Sequence, residues 1–178
     1  MGSRVQVPEG GPIITKRTKG GLFGVKIMTS YFYAIRFFKP NMIPISTAKW
    51  DPKWYHQNKS QEHWFLDKNG VINGLRAEVF APGPVAGNLC RGDCNPKKPE
   101  SCMFLQAYMH QLNQLDFNEI MERTEKLCRA VQPTVGYEGE PIAVFIVHEA
   151  PDNPCSERVS IQNFFKNHGI ECEEYQWQ

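Results

Sequence analysis

The stretch IAVFIVHEAPDNPCSER, residues Ile142–Arg158, decides how this chain is read. Ile142 to Val147 are apolar without interruption, between Pro141 and His148. A strand with one wet face would alternate apolar with polar, so an unbroken run suits a strand buried on both faces. His148 and Glu149 end the run, and Pro151, Asp152 and Asn153 supply turn residues. Asn153 followed by Pro154 reads as an N-cap with proline at the first helical position. A helix is therefore expected from Pro154 to about His168, closed by Gly169. Strand, turn and helix crowd a histidine, a carboxylate, a cysteine and an arginine onto one edge. In open α/β sheets, ligands bind at that edge, outside the carboxyl ends of the strands.

Outward from this unit the pattern supplies partners for the strand. Val25–Phe32 and Met42–Ser46 read as two earlier strands, each followed by aromatic and basic residues: Tyr31, Tyr33 and Arg36 after the first, Lys49, Trp50, Trp54 and Tyr55 after the second. Phe104, Leu105, Tyr108, Met109, Leu112 and Leu115 recur at helical spacing. Asp116 with Glu119 resembles a capping box for a second helix, which Pro133 and Gly136 are expected to close. Ile170–Trp177 alternates like a last strand. Between His56 and Cys102, Gly and Pro recur and no stripe persists, although Val71–Phe80 could add a strand. The expectation is α/β: a single three-layer domain over residues 25–178 with a mainly parallel sheet and an irregular, Cys-containing insertion at 56–102. Residues 1–24, rich in Gly and basic side chains, are expected to form a flexible arm.

Composition narrows the function classes. The chain has 178 residues, 41% of them hydrophobic, enough for one sizeable core. A formal net charge of +1 supplies no strong field toward nucleic acid or an anionic membrane. No apolar stretch reaches the roughly 20 residues of a membrane span, and no signal peptide is expected. A cytoplasmic protein with its six cysteines reduced is the expectation.

Cys155 falls near the expected second helical position, where free N–H groups and the helix dipole stabilise a thiolate. With His148 as base, Glu149 beside it and Arg158 one turn on, it is the candidate nucleophile. A small buried residue between helix and sheet is an equally good reading of Cys155. The C-x5-R spacing of cysteine phosphatases is absent, since Ile161 stands six residues on. The same helix start, with Ser156 and Arg158, is a candidate anion site that needs no catalysis. Cys90, Cys94 and Cys102 in one loop suggest zinc, with a fourth ligand from His56, His63 or His110; unligated thiols are the plainer alternative. Trp50, Trp54, Tyr55 and Trp64, interleaved with Lys49, Lys53 and Lys59, resemble a base-stacking surface, although core packing is expected for at least two of them.

Taken in order, Tyr31, the segment Pro44-Ile45-Ser46-Thr47-Ala48, Pro52-Lys53-Trp54, Glu149-Ala150-Pro151 and Cys155 resemble the pattern of the domain of unknown function 488 family. The resemblance covers about Lys26–Glu174 and is weakest over Trp64–Ser101. It implies an α/β domain with its site at the same edge, and no particular activity. The family pattern has His and Arg directly after the cysteine; this chain has Ser156, Glu157 and then Arg158. That displaces the arginine by about 100° around a helix.

The site residues point to a small anionic, nucleotide-like ligand held by Tyr31, Arg36, Lys49, Trp50, Trp54, Ser156 and Arg158. A nucleic-acid-associated accessory protein using Lys49, Lys53, Trp50 and Trp54 is the first alternative. A metal-stabilised interaction module around the cysteine loop is the second. No membrane partner is expected.

Overall fold

The computed structural model of the chain describes residues 23–56, 64–89 and 95–178. The first strand, β1 (Lys26–Tyr31), runs into a 3-10 helix at Phe32–Phe37, and β2 (Met42–Ser46) follows. The two-residue strands β3 (Phe65–Leu66) and β4 (Ile72–Asn73) pair antiparallel apart from the main sheet. After them come the single-turn α1 (Pro84–Gly87), then α2 (Met103–Asn113) and α3 (Phe117–Val135). The apolar run forms β5 (Ile142–Val147), and α4 (Glu157–Asn167) and β6 (Cys172–Glu174) end the order. Among the described residues the main sheet has four strands in the order β2-β5-β1-β6, all parallel.

The expected α/β architecture with a parallel sheet is present, and β5 occupies an interior position because its residues can be buried on both sides. Ala143, Phe145 and Val147 face a core built with Tyr108, Leu112, Met121, Cys128, Ile161, Phe164 and Phe165 from the helices. Val144 and Ile146 face the other way, onto Phe32, Ile35, Phe38, Ala48, Tyr55 and Val71. That second face is covered by the 3-10 helix and loop residues, so the layers on the two sides of the sheet differ in kind. Pro44 sits in β2, an outer strand, where a missing N–H removes no ladder bond between two neighbours. The outer side of β2 is partly covered: Ser46 exchanges backbone bonds with Leu75 and Ala77.

Several boundaries differ from the sequence reading. The helix after β5 starts at Glu157 with Ser156 as N-cap, because the Ser156 hydroxyl accepts from the Arg158 N–H at 3.2 Å. Asn153 instead accepts from the Cys155 N–H at 2.9 Å, an Asx turn that precedes the helix. Asp116 does cap α3, accepting from the Glu119 N–H at 3.1 Å. Pro133 does not stop α3: it lies within the last turn, and the helix ends at Gly136 with φ 68°. A lost N–H so near the terminus removes only one bond, whereas the left-handed position requires a residue without a Cβ penalty. The strand expected over Val71–Phe80 shrinks to Ile72–Asn73, with a 3-10 turn at Glu78–Phe80. The expected arm lies almost wholly outside the described residues; Phe23, within them, packs edge-on against Phe117.

Candidate functional site

The segments following β2 and β5 and the start of α4 border a cleft of about 440 Å³. Thr47, Ala48, Lys49 and Trp50 come from the segment after β2, and Val147, His148 and Glu149 from the end of β5. Asn153, Cys155 and Glu157 belong to the turn and first residue of α4, while Pro82, Pro96 and Phe104 complete the lining. This is the sheet edge where α/β ligands bind, and parallel strands place both loops there.

The β2 segment is held from beneath. The Thr47 N–H and hydroxyl both donate to the Ile146 carbonyl, at 3.0 and 2.8 Å. The Ala48 N–H donates to the Ser46 hydroxyl at 3.2 Å, and Arg76 donates to the Ala48 carbonyl at 2.9 Å. Asp51, its side chain 1% exposed, accepts from the Ser46 hydroxyl and meets His56 Nε2 at 2.6 Å and Arg76 at 2.5 Å. A buried carboxylate needs such partners, and here they fix the loop that carries Lys49 and Trp50. Tyr55 adds a second anchor, its hydroxyl donating to the carbonyls of Pro44 and Leu75 at 3.0 and 2.7 Å. This Asp51–His56–Arg76 cluster escaped the sequence reading because its members are separated along the chain and no spacing marks them.

On the β5 side, His148 is exposed, rests against Phe32 at 4.9 Å between ring centres, and donates from Nε2 to the Trp50 carbonyl. Glu149 is half-buried and accepts from the Ser156 hydroxyl at 3.0 Å. Cys155 borders the cleft but stands before the N-cap, so the first-turn thiolate environment expected for it is replaced by a turn position.

Ser156 and Arg158 are placed differently from the anion-site expectation. Both are buried, and neither borders the cleft. Arg158 donates from Nε to Glu174 at 2.7 Å, from one terminal nitrogen to the Ala150 carbonyl at 3.1 Å, and from the other to the Glu149 carbonyl. Glu174 also accepts from the Thr29 hydroxyl at 2.7 Å. Burial pushes the Glu174 carboxyl above the usual range, against the pull of Thr29 and Arg158. The arginine thus ties the β5–α4 turn to β6.

Tyr31 and Arg36 are also away from the cleft. Tyr31 stacks on Tyr33 at 6.1 Å, and the Arg36 guanidinium covers the Tyr33 ring at 3.8 Å. Trp177 joins this patch, stacked on Phe37 at 4.2 Å. Trp54 does not border the cleft either; it meets Phe32 edge-on at 6.1 Å. Of the four aromatics grouped from the sequence only Tyr55 is core: Trp50, Trp54 and Trp64 are 71%, 54% and 40% exposed. For the metal expectation, Cys90, Cys94 and His63 lie outside the described residues, and Cys102 is buried. Among the described residues no group of three or more His, Cys, Asp or Glu side chains is arranged to hold a metal ion. His56, considered as a fourth ligand, is engaged by Asp51.

Compared with protein-family models, with curated proteins and with solved structures, the chain matches none. No helix among the described residues is long and apolar enough to cross a membrane.

Proposed function

We propose that this protein binds a small anionic, nucleotide-like molecule in the cleft between β2, β5 and α4. The observation that carries the reading is the adjacency of Lys49 and Trp50 on the cleft. Lys49 is exposed and has no salt bridge among the described residues, and the neighbouring indole is 71% exposed. An indole offers a face for a planar base, and an unpaired ammonium offers a point charge for phosphate. A volume of about 440 Å³ falls in the range of small-molecule sites. Glu149 and Glu157 border the same cleft. Glu149 is held by Ser156, and the dipole of α4 offsets the charge of Glu157, which already occupies the helix start. The anion is therefore assigned to Lys49 rather than to the first turn of α4.

Calorimetric titration with adenosine 5′-monophosphate and with adenosine tests this. Lys49→Ala should weaken the nucleotide about tenfold, as loss of a charge-assisted bond predicts, and leave the nucleoside unchanged. Trp50→Ala should weaken both. Wild-type affinity that neither substitution alters would sink the reading.

The exposure of Trp54 beside Lys53 favours a second reading, a platform for single-stranded nucleic acid. Since neither borders the cleft, Lys53→Ala and Trp54→Ala separate the two. Weakened, steeply salt-dependent oligonucleotide binding in those variants would favour the platform.

A further inference from the structure

We infer that the cleft selects a guanine-type base, one whose edge carries a carbonyl oxygen followed by two N–H donors; this rests on the ligand-binding reading above and names the base that Trp50 stacks. The turn between β5 and α4 presents the complementary groups. It is closed by the Asn153 N–H, which donates to the Ala150 carbonyl at 3.1 Å and so returns the chain to the residue after Glu149. Glu149 and Asn153 both border the cleft. A carboxylate can only accept, and the Ser156 hydroxyl takes up Glu149 Oε2 at 3.0 Å. Oε1 has no hydrogen-bond partner among the described residues. Asn153 is fixed in the opposite sense. The Cys155 N–H can only donate, so the side-chain atom it meets at 2.9 Å is the amide oxygen. The amide nitrogen, Nδ2, is left as a donor without a partner among the described residues.

A further bond ties this turn to the stacking residue. His148, the neighbour of Glu149, donates from Nε2 to the Trp50 carbonyl, so the indole and the turn keep a fixed relation. Guanine offers its ring N1–H and its 2-amino group side by side, a spacing that suits one carboxylate, with O6 next to them for an amide N–H. Adenine exchanges these roles. Its 6-amino group would meet the Asn153 donor, and its N1 lone pair the Glu149 carboxylate. Adenine therefore stacks on Trp50 and reaches Lys49 without gaining the edge contacts. Hypoxanthine keeps O6 and N1–H but lacks the 2-amino group, which isolates one of the bonds to Glu149. Lys49 precedes Trp50 on the cleft and keeps the phosphate, so the two ends of the nucleotide are read by different residues.

Calorimetric titration with the 5′-monophosphates of guanosine, inosine and adenosine tests this. The wild type should bind the guanosine form about tenfold tighter than the inosine form, and the adenosine form more weakly still. Two variants should change this order rather than lower every affinity. Glu149→Gln keeps an acceptor for the Ser156 hydroxyl but presents an acceptor and a donor to the base. It should lose the preference for guanosine over inosine and bind the adenosine form no worse than the wild type does. Asn153→Asp keeps the acceptor for the Cys155 N–H and puts an acceptor where O6 needs a donor. It should shift the guanosine-to-adenosine affinity ratio about tenfold toward adenosine. A wild type that binds all three alike, or variants that weaken all three in equal proportion, would overturn the inference and leave the cleft and Lys49 standing. If none of the three binds the wild type, both readings fall.

Discussion

Arg158 shows what one residue does in this fold. Its guanidinium reaches a carboxylate on β6 and two consecutive carbonyls in the β5–α4 turn, all from a side chain 5% exposed. The sequence marks it as a charge beside a cysteine; the structure makes it the tie between three elements. Arg158→Ala would leave Glu174 buried without its cation and two carbonyls without donors. The expected loss is about 3 kcal/mol of unfolding free energy in urea titration, typical of breaking a buried pair. A loss indistinguishable from zero would mean the pair is open in solution. Lys49 is the opposite case, an exposed cation whose removal should cost the fold little and the ligand most.

At the scale of elements, the two capped helices separate stability from binding. Asp116 caps α3 and does not border the cleft, and Ser156 caps α4 while also bridging to Glu149 on the cleft. Each alanine variant should lose about 1 kcal/mol by thermal or urea unfolding. On the proposed function, only Ser156→Ala should also weaken adenosine 5′-monophosphate, because it releases the Glu149 carboxylate on the cleft. Equal ligand affinity in both variants would show that the bridge to Glu149 has no bearing on the site. Asp116 was legible from sequence because capping is local: the bond spans three residues. The start of α4 was not, since Asn153-Pro154 and Ser156 are both valid caps, and the contacts of Ser156 and Arg158 decide between them.

Across the whole molecule, alkaline pH probes the core. Burial pushes the Cys128 and Cys172 thiols up to about 12. Burial also raises the Tyr55 and Tyr108 phenols above their ordinary range, each reinforced by a nearby carboxylate. A folded-state value above the unfolded one means that the protonated form is favoured on folding. The contribution is complete below the unfolded value and is lost as pH rises toward the folded one. Urea midpoints should therefore be steady near pH 8 and fall steadily toward pH about 12. Cys172→Ala should remove part of that slope; a variant with the full slope would show that the thiol is not excluded from water in the folded state.

The sequence by itself determined what depends on neighbours along the chain. The apolar run of β5, the helical stripes of α2 and α3 and the Asp116 cap all follow from short-range periodicity and local bonds, and a buried strand feeding a helix implies a parallel sheet with a carboxyl edge. Only the tertiary structure decided which chemistry reaches that edge. Lys49 and Trp50 meet His148, Glu149 and Cys155 because β2 pairs with β5 in register Met42↔Ile142, a contact between distant segments. Tyr31 and Arg36 are drawn to a separate aromatic patch, and Ser156 and Arg158 into the interior, because burying a charge demands partners that no local spacing reveals. Pro82 and Pro96 close the cleft from an insertion without a readable pattern, and Phe104 from the start of α2. Periodicity reports burial, whereas the side chains of a site are selected by strand order and by where each charge finds its partner.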